Sequence, residues 1–162
     1  MIRRANFSKD RKYRYQLERI WDEHGKTVLF IMLNPSTADH KQDDPTIRRC
    51  MGFAQSLGYG RLIIVNLFAF KATKPEDLVK ATDPIGARNM EYIRRAYQNS
   101  DLVVTAWGVP SVIKKLQPKI QIRHINKWKT HSLGYCKEGH PRHPLYLRKE
   151  AQPILNAQPF LI

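Results

Sequence analysis

Three apolar runs constrain this chain more than anything else in it. TVLFIMLN (27–34), RLIIVN (61–66) and DLVVTAWG (101–108) offer almost no polar side chain to water. A strand with one wet face alternates apolar and polar residues. A strand that does not alternate has to be covered on both faces, as in a parallel sheet flanked by helices.

The segments between these runs have helical spacing. In DDPTIRRCMGFAQSLG (43–58), Asp44 is placed to cap a helix and Pro45 takes its first position. Ile47, Cys50, Met51, Ala54 and Leu57 form the apolar stripe, and Gly58 ends it. DPIGARNMEYIRRAY (83–97) repeats the Asp-Pro start, with Ile85, Tyr92, Ile93, Ala96 and Tyr97 on its inner side. Shorter helices are predicted over about 75–80 and over VPSVIKKLQ (109–117). KIQIRHIN (119–126) is predicted as a fourth strand and 147–157 as a last helix. YRYQLERIW (13–21), the EHGK turn and the run at 27–34 are predicted to form an N-terminal hairpin.

The fold expected is therefore α/β. A central four-stranded, mainly parallel sheet carries helices on both faces, three layers in all, plus the hairpin. The 162 residues suit a single domain, 1–162, with no repeat or linker.

Ligands of such sheets bind outside the carboxyl ends of the strands. Asn34, Asn66 and Trp107-Gly108 fall at those ends, and GHPRHPLYL (139–147) lies in the loop after the last strand. Prolines stiffen that loop, so His140, Arg142 and His143 are held in place.

Charge indicates the partner. Lys plus Arg is 28 against 14 for Asp plus Glu, a net charge of +14 and a pI near 10.0. Such an excess attracts polyanions, most commonly nucleic acid. Basic pairs recur along the chain, Arg48-Arg49 among them, so the charge belongs to faces of the folded domain. No apolar run is long enough for a membrane span, and the N-terminal MIRRANFSKDRKYRY lacks a signal-peptide core. Cys50 and Cys136 fit a reducing compartment and have no zinc-ligand spacing. The expectation is a cytoplasmic, monomeric protein that acts on nucleic acid, DNA above all, without a cofactor or membrane.

Each candidate site residue has open alternatives at this stage. Asn34, before Pro35 and Ser36, either caps a turn or presents its amide to water and substrate. Asn66 offers a donor and an acceptor, which reading the edge of a base requires. Phe68 stacks on a base or fills the core. Trp107 fills the core under the sheet end, and Gly108 lets something approach the backbone closely. His140 or His143 stabilises charge, Arg142 and Arg48 suit phosphate, and Leu145 and Tyr146 form a wedge. Asp39, His40, Asp43 and Asp44 make the one acidic cluster, whose alternatives are a Mg²⁺ site and helix capping.

FIMLNPSTAD, DDPTIRRC, VNLFAFKAT and GHPRHPLYL, in this order, resemble the bacterial and phage family called domain of unknown function 1643, over nearly the whole chain. The chain also has a weaker likeness to the uracil-DNA glycosylase superfamily. There, a Gly-x-Asn-Pro-Gly or Gly-Gln-Asp-Pro motif follows the first strand and a base-reading Asn ends the next. A Trp-Gly pair comes later, then a His-Pro-Ser-Pro-Leu-like loop that inserts into DNA. MLNPS (32–36), Asn66, Trp107-Gly108 and HPRHPL (140–145) are similar to these, in the same order. Met32 and Ser36 replace the two glycines, and the 140–145 loop has one extra residue.

This resemblance implies roles. Asn34 would hold the attacking water and Asn66 would read a pyrimidine. His143, or His140, would stabilise the departing base, with Arg142 on phosphate. Leu145 or Tyr146 would fill the gap left by the flipped nucleotide. The activity implied is hydrolysis of a glycosidic bond. The alternatives are a non-catalytic module that recognises a modified base and, third, a metal-dependent nuclease built on the acidic cluster.

Overall fold

The computed structural model describes residues 1–161, the side chain of Pro110 excepted. The chain forms β1 (Ile2–Phe7), β2 (Arg14–Ile20), β3 (Thr27–Met32), α1 (Pro45–Ser56), β4 (Arg61–Asn66), α2 (Pro75–Lys80) and α3 (Asn89–Gln98). Then follow β5 (Leu102–Thr105), α4 (Pro110–Leu116), α5 (Lys119–Ile125), β6 (His131–Ser132), a 3-10 turn at Pro144–Tyr146 and β7 (Ile154–Leu155). The strands make one mixed sheet of seven, in the order β1-β2-β4-β3-β5-β6-β7.

The apolar runs sit where their composition requires. β3 is wholly buried, parallel to β4 on one side and to β5 on the other. Its alternate residues serve two separate cores. Leu29 and Ile31 pack with α3, α4 and α5 through Ile93, Ile113 and Ile122. Val28, Phe30 and Met32 pack with α1 through Ile47, Cys50 and Phe53. Burying each such side chain contributes about 1.5–3 kcal/mol, so this strand anchors both faces.

α1 begins as its sequence predicts. The Asp44 side chain accepts from the Ile47 amide at 2.8 Å, and Pro45 stands in the first turn. The second Asp-Pro pair does not start a helix. Asp83 Oδ1 instead accepts from the amides of Ile85 and Gly86, closing a turn, and α3 starts at Asn89.

Four further expectations are corrected. The N-terminal hairpin exists, but its arms are β1 and β2. β2 does not pair with the 27–34 run; it pairs antiparallel with β4. Residues 119–126 contain the helix α5. Ile120 and Ile122 mimic alternation, yet Ile122 and Ile125 are the buried isoleucines, three apart, and Ile120 is 62% exposed. The strand beside β5 is instead the two-residue β6, followed antiparallel by β7, so the sheet is larger and more mixed than the four strands expected. Finally, 147–157 is not a helix. Pro153 precedes β7, and a mid-helix proline would remove a hydrogen bond and clash with the preceding turn.

β2 carries an irregularity that matters for the site. Asn6 pairs with Gln16, but the next residue, Phe7, pairs with Arg14. Tyr15 is therefore an extra residue, a bulge, with its ring between those of Tyr13 and Tyr92 at centroid distances of 6.2 and 5.1 Å. Past the bulge, Leu17 and Arg19 face α1 and the loop before it. Before the bulge, Arg14 is turned to that same side and bonds Ala38. Without the bulge, a period of two would send it to the other face. Arg19, fully buried, donates to Asp43 at 2.7 Å and to the Asp39 carbonyl, pinning the loop before α1.

Candidate functional site

A cavity of about 490 Å³ opens at the carboxyl ends of β3, β4 and β5. Asn34, Asn66 and His143 all line it, together with Ser36, Trp107, Gly108, Arg142, Leu145 and Tyr146. Pro35, Phe68, His140 and Arg48 do not. Arg14, Thr46 and Thr73 line it without having been read from the sequence as site residues, and Asp44 of the acidic cluster and Cys136 line it as well. Among the described residues its only arginines are Arg14 and Arg142 and no lysine takes part, so its lining is less basic than the chain as a whole.

Asn66 is 2% exposed, and its backbone is held firmly. Asn89, buried in α3, donates its side-chain amide to the carbonyls of Asn66 and Leu67 at 2.9 and 3.0 Å. The side-chain amide of Asn66 makes no hydrogen bond to any described residue, and neither of its polar atoms is sealed from the cavity. A buried amide ordinarily finds partners. This one keeps a donor and an acceptor free at the end of a rigid strand.

Asn34 differs. Its Nδ2 donates to Ala72 O at 2.8 Å and to its own Pro35 O at 3.0 Å, so the amide nitrogen is used to tie the loop after β3 to the loop after β4. Ala72 N donates back to Pro35 O at 3.0 Å. Pro35 is thus a buried structural residue. Only the Asn34 oxygen remains available to a ligand, as an acceptor.

The two histidines separate cleanly. His140 is 4% exposed and its Nδ1 accepts from Trp107 Nε1 at 3.2 Å, so it braces the core beneath the site. Burial holds its pKa below the ordinary 6.5, with Lys114 adding to the effect and Glu138 opposing it. His143 faces the cavity. Its Nδ1 accepts from the Leu145 amide at 3.3 Å, which leaves the proton of the neutral ring on Nε2. Burial lowers its pKa too, against the pull of Asp44, so the ring is a neutral hydrogen-bond donor near pH 7.

The loop that carries His143 is fixed on three sides. Gly108 N donates to Pro141 O at 3.0 Å, Arg142 N to Gly134 O at 2.9 Å, and Arg49 of α1 to the carbonyls of Pro144 and Leu147. Gly108 has φ +79°, and a Cβ there would meet the His143 Cβ at 3.0 Å. The close approach that glycine permits is to this loop, not to a ligand. Gly108→Ala is expected to cost about 1–2 kcal/mol in urea unfolding and to displace His143. An unchanged midpoint would show that the loop yields freely.

A second prediction concerns pH. Folded His140 takes up its proton at lower pH than an unfolded histidine does, because burial disfavours the charged ring. The unfolded chain then binds more protons as pH falls below 6.5, and stability present above that value is lost. His143 and His124 shift in the same direction. His140→Asn keeps an acceptor and cannot titrate, so the drop in melting temperature between pH 7 and pH 5 should shrink. A drop of full size would assign it to the other two.

The other candidates fall into place around this frame. Phe68 is fully buried in the α3-side core. Arg48 is exposed, donates to Asp43 O at 2.5 Å and lies on a different surface hollow. Arg142 is exposed at the mouth and donates to Tyr146 O at 2.9 Å. Leu145 and Tyr146 project at 42% and 74% exposure, unusual for such side chains.

The three carboxylates of the acidic cluster are engaged within the protein. Asp39 accepts from the amides of Lys41 and Gln42, which pull its pKa down. Asp43 pairs with Arg3 and Arg19, whose bonds outweigh burial and hold it acidic. Asp44 caps α1. Among the described residues no group of three or more His, Cys, Asp or Glu could hold a metal ion. No helix among them is long and apolar enough to cross a membrane.

Sequence reasoning missed Arg14. It is 2% exposed, yet it lines the cavity. Nη1 donates to Ala38 O at 2.7 Å; Nε is buried with no acceptor. Burial pulls its pKa down to about 10. In the sequence it reads as one more basic residue in RKYR, and no pattern signals the bulge that turns it inward.

Fold and site together define a basic α/β protein with a cavity at its strand ends, largely apolar in lining and carrying a few polar groups. The chain belongs to the family described as protein of unknown function (DUF1643), which matches residues 14–145. No curated protein and no solved structure matches it.

Proposed function

We propose that this protein acts on nucleic acid, DNA first, as a glycosylase of the uracil-DNA glycosylase type, hydrolysing the bond between sugar and a flipped pyrimidine. The carrying observation is Asn66: a buried amide with both polar functions unused, held at a strand end and open to a cavity. Such a group matches the donor and acceptor on the edge of a pyrimidine. The arrangement proposed for the fold is that superfamily's three-layer α/β/α, here in a single domain that works as a monomer.

Asn34 Oδ1 accepts from the attacking water. The water oxygen bonds C1′ as the C1′–N1 bond breaks, and the base departs with the electron pair. Neutral His143 donates Nε2–H to the negative charge on the base, while the water's proton passes to solvent or the leaving base. Arg142 at the mouth contacts phosphate, and Leu145 and Tyr146 enter the space the base leaves.

One observation favours a second reading, a module that holds a modified base without cleaving it. The single carboxylate lining the cavity is Asp44, and its Oδ1 is committed to capping α1. Incubation with oligonucleotides carrying uracil, mismatched thymine or 5-modified pyrimidines, followed by alkaline cleavage at abasic sites, separates the two. Strand scission that disappears in His143→Ala supports the glycosylase. Tight binding with every oligonucleotide left intact supports the module. Neither scission nor Asn66-dependent binding sinks both.

A further inference from the structure

Arg14 presents an anomaly that the proposed chemistry leaves unused. Its guanidinium is almost wholly removed from water. Buried arginines normally pair with carboxylates, as Arg19 does with Asp43. No ion pair among the described residues includes Arg14. Only Nη1 has an acceptor, a neutral carbonyl, and Nε has none. Asp44 lines the same cavity and, with Asp39, attracts Arg14 at longer range without offsetting its burial, but its side chain caps α1 and forms no ion pair with Arg14.

The cation is also placed deliberately. The Tyr15 bulge turns Arg14 toward the α1 side, and because β2 runs antiparallel to β4, its first residue lies at the strand end that carries Asn66. Both side chains line one cavity. A buried charge without a counter-ion is costly. It is tolerable where a ligand brings the missing anion, and the guanidinium fork suits a planar oxyanion.

We infer that Arg14 forms an oxyanion subsite, so that the ligand of this cavity carries a carboxylate or phosphate group beside the base edge held by Asn66. This rests on the proposed reading of Asn66 for the base and on Arg14 alone for the anion. The oxyanion belongs either to an acidic substituent on the base or to the phosphate of a nucleotide.

Calorimetric titration of the full chain with two probe pairs tests this. Orotate against uracil adds a carboxylate to the base; UMP against uridine adds a phosphate. At least one charged probe is expected to bind about tenfold more tightly than its neutral partner, the magnitude of a charge-assisted hydrogen bond. The pair that shows the gap identifies the source of the oxyanion. Arg14→Gln, which retains a donor for Ala38 O, should close the gap and leave the neutral probes unaffected. Equal affinities within both pairs of the wild-type protein, absence of binding included, overturn the subsite whether or not the variant folds. Asn66→Ala separates the two claims. A gap that survives in Asn66→Ala with every affinity unchanged defeats the base reading and leaves the subsite. Uniform weakening with no gap in the wild type does the reverse.

Discussion

Asn66→Ala is expected to weaken binding of a pyrimidine-bearing oligonucleotide by about a hundredfold while the protein stays folded, since two hydrogen bonds to the base vanish together. The combination matters more than the loss. Truncating a buried polar residue usually costs stability, because its partners are left unpaired. Here the side-chain amide has no partner among the described residues, and the space it vacates joins an existing cavity. Urea unfolding should therefore place the variant within about 1 kcal/mol of the wild type. Asn66→Asp refines the result: it keeps the shape and an acceptor but loses the donor, so it should weaken binding as well if hydrogen bonding, and not shape, governs recognition. A variant destabilised by well over 2 kcal/mol with binding intact would make Asn66 a structural residue and remove the main support for the proposed function.

Trp107→Ala should produce the largest change in stability, about 3–5 kcal/mol in urea unfolding. Trp107 is fully buried, packs edge-on against Phe160 at 4.7 Å between ring centroids, and donates to His140. Its removal opens a cavity and orphans a buried acceptor in one step. Trp107→Phe divides these: it keeps most of the volume and loses the N–H, for an expected cost of about 1–2 kcal/mol. The His140 loop should loosen in both variants, and with it His143, so loss of activity should accompany loss of stability. A cost under about 1 kcal/mol for Trp107→Ala would mean that the core at this end of the sheet is far less tightly packed than its burial indicates.

The parts of this molecule legible in its sequence were those governed by uninterrupted local pattern. The runs at 27–34, 61–66 and 101–108 each contain the strand they predicted, because full burial on both faces leaves little composition but apolar. The α1 cap was legible because Asp-Pro followed by a helical stripe is a local signal. The same dipeptide at 83–84 misled, since Gly86 adopts φ +90° two residues on and ends any helix at once. Strand pairing was not legible. β2 and β3 adjoin in sequence, but β4 separates them in the sheet, and only tertiary packing decides that. At the site, strand-end position correctly indicated that Asn34 and Asn66 share a rim, but could not say that one amide is consumed by Ala72 and the other left free. Nor could spacing distinguish the histidines. His140 is sealed under the sheet end by its bond to Trp107, while His143 faces the cavity, and no local pattern separates the two.

The extra residue at Tyr15 makes the charge of the pocket depend on strand register. Absorb that residue into regular pairing and Arg14 passes to the other side of the sheet, with no change in composition. A relative that kept every one of these residues but paired the strand without the bulge would have an uncharged pocket floor and a cation in the solvent. Substrate preference would then be set partly by how the strand is paired, which a comparison of residue identities alone would overlook.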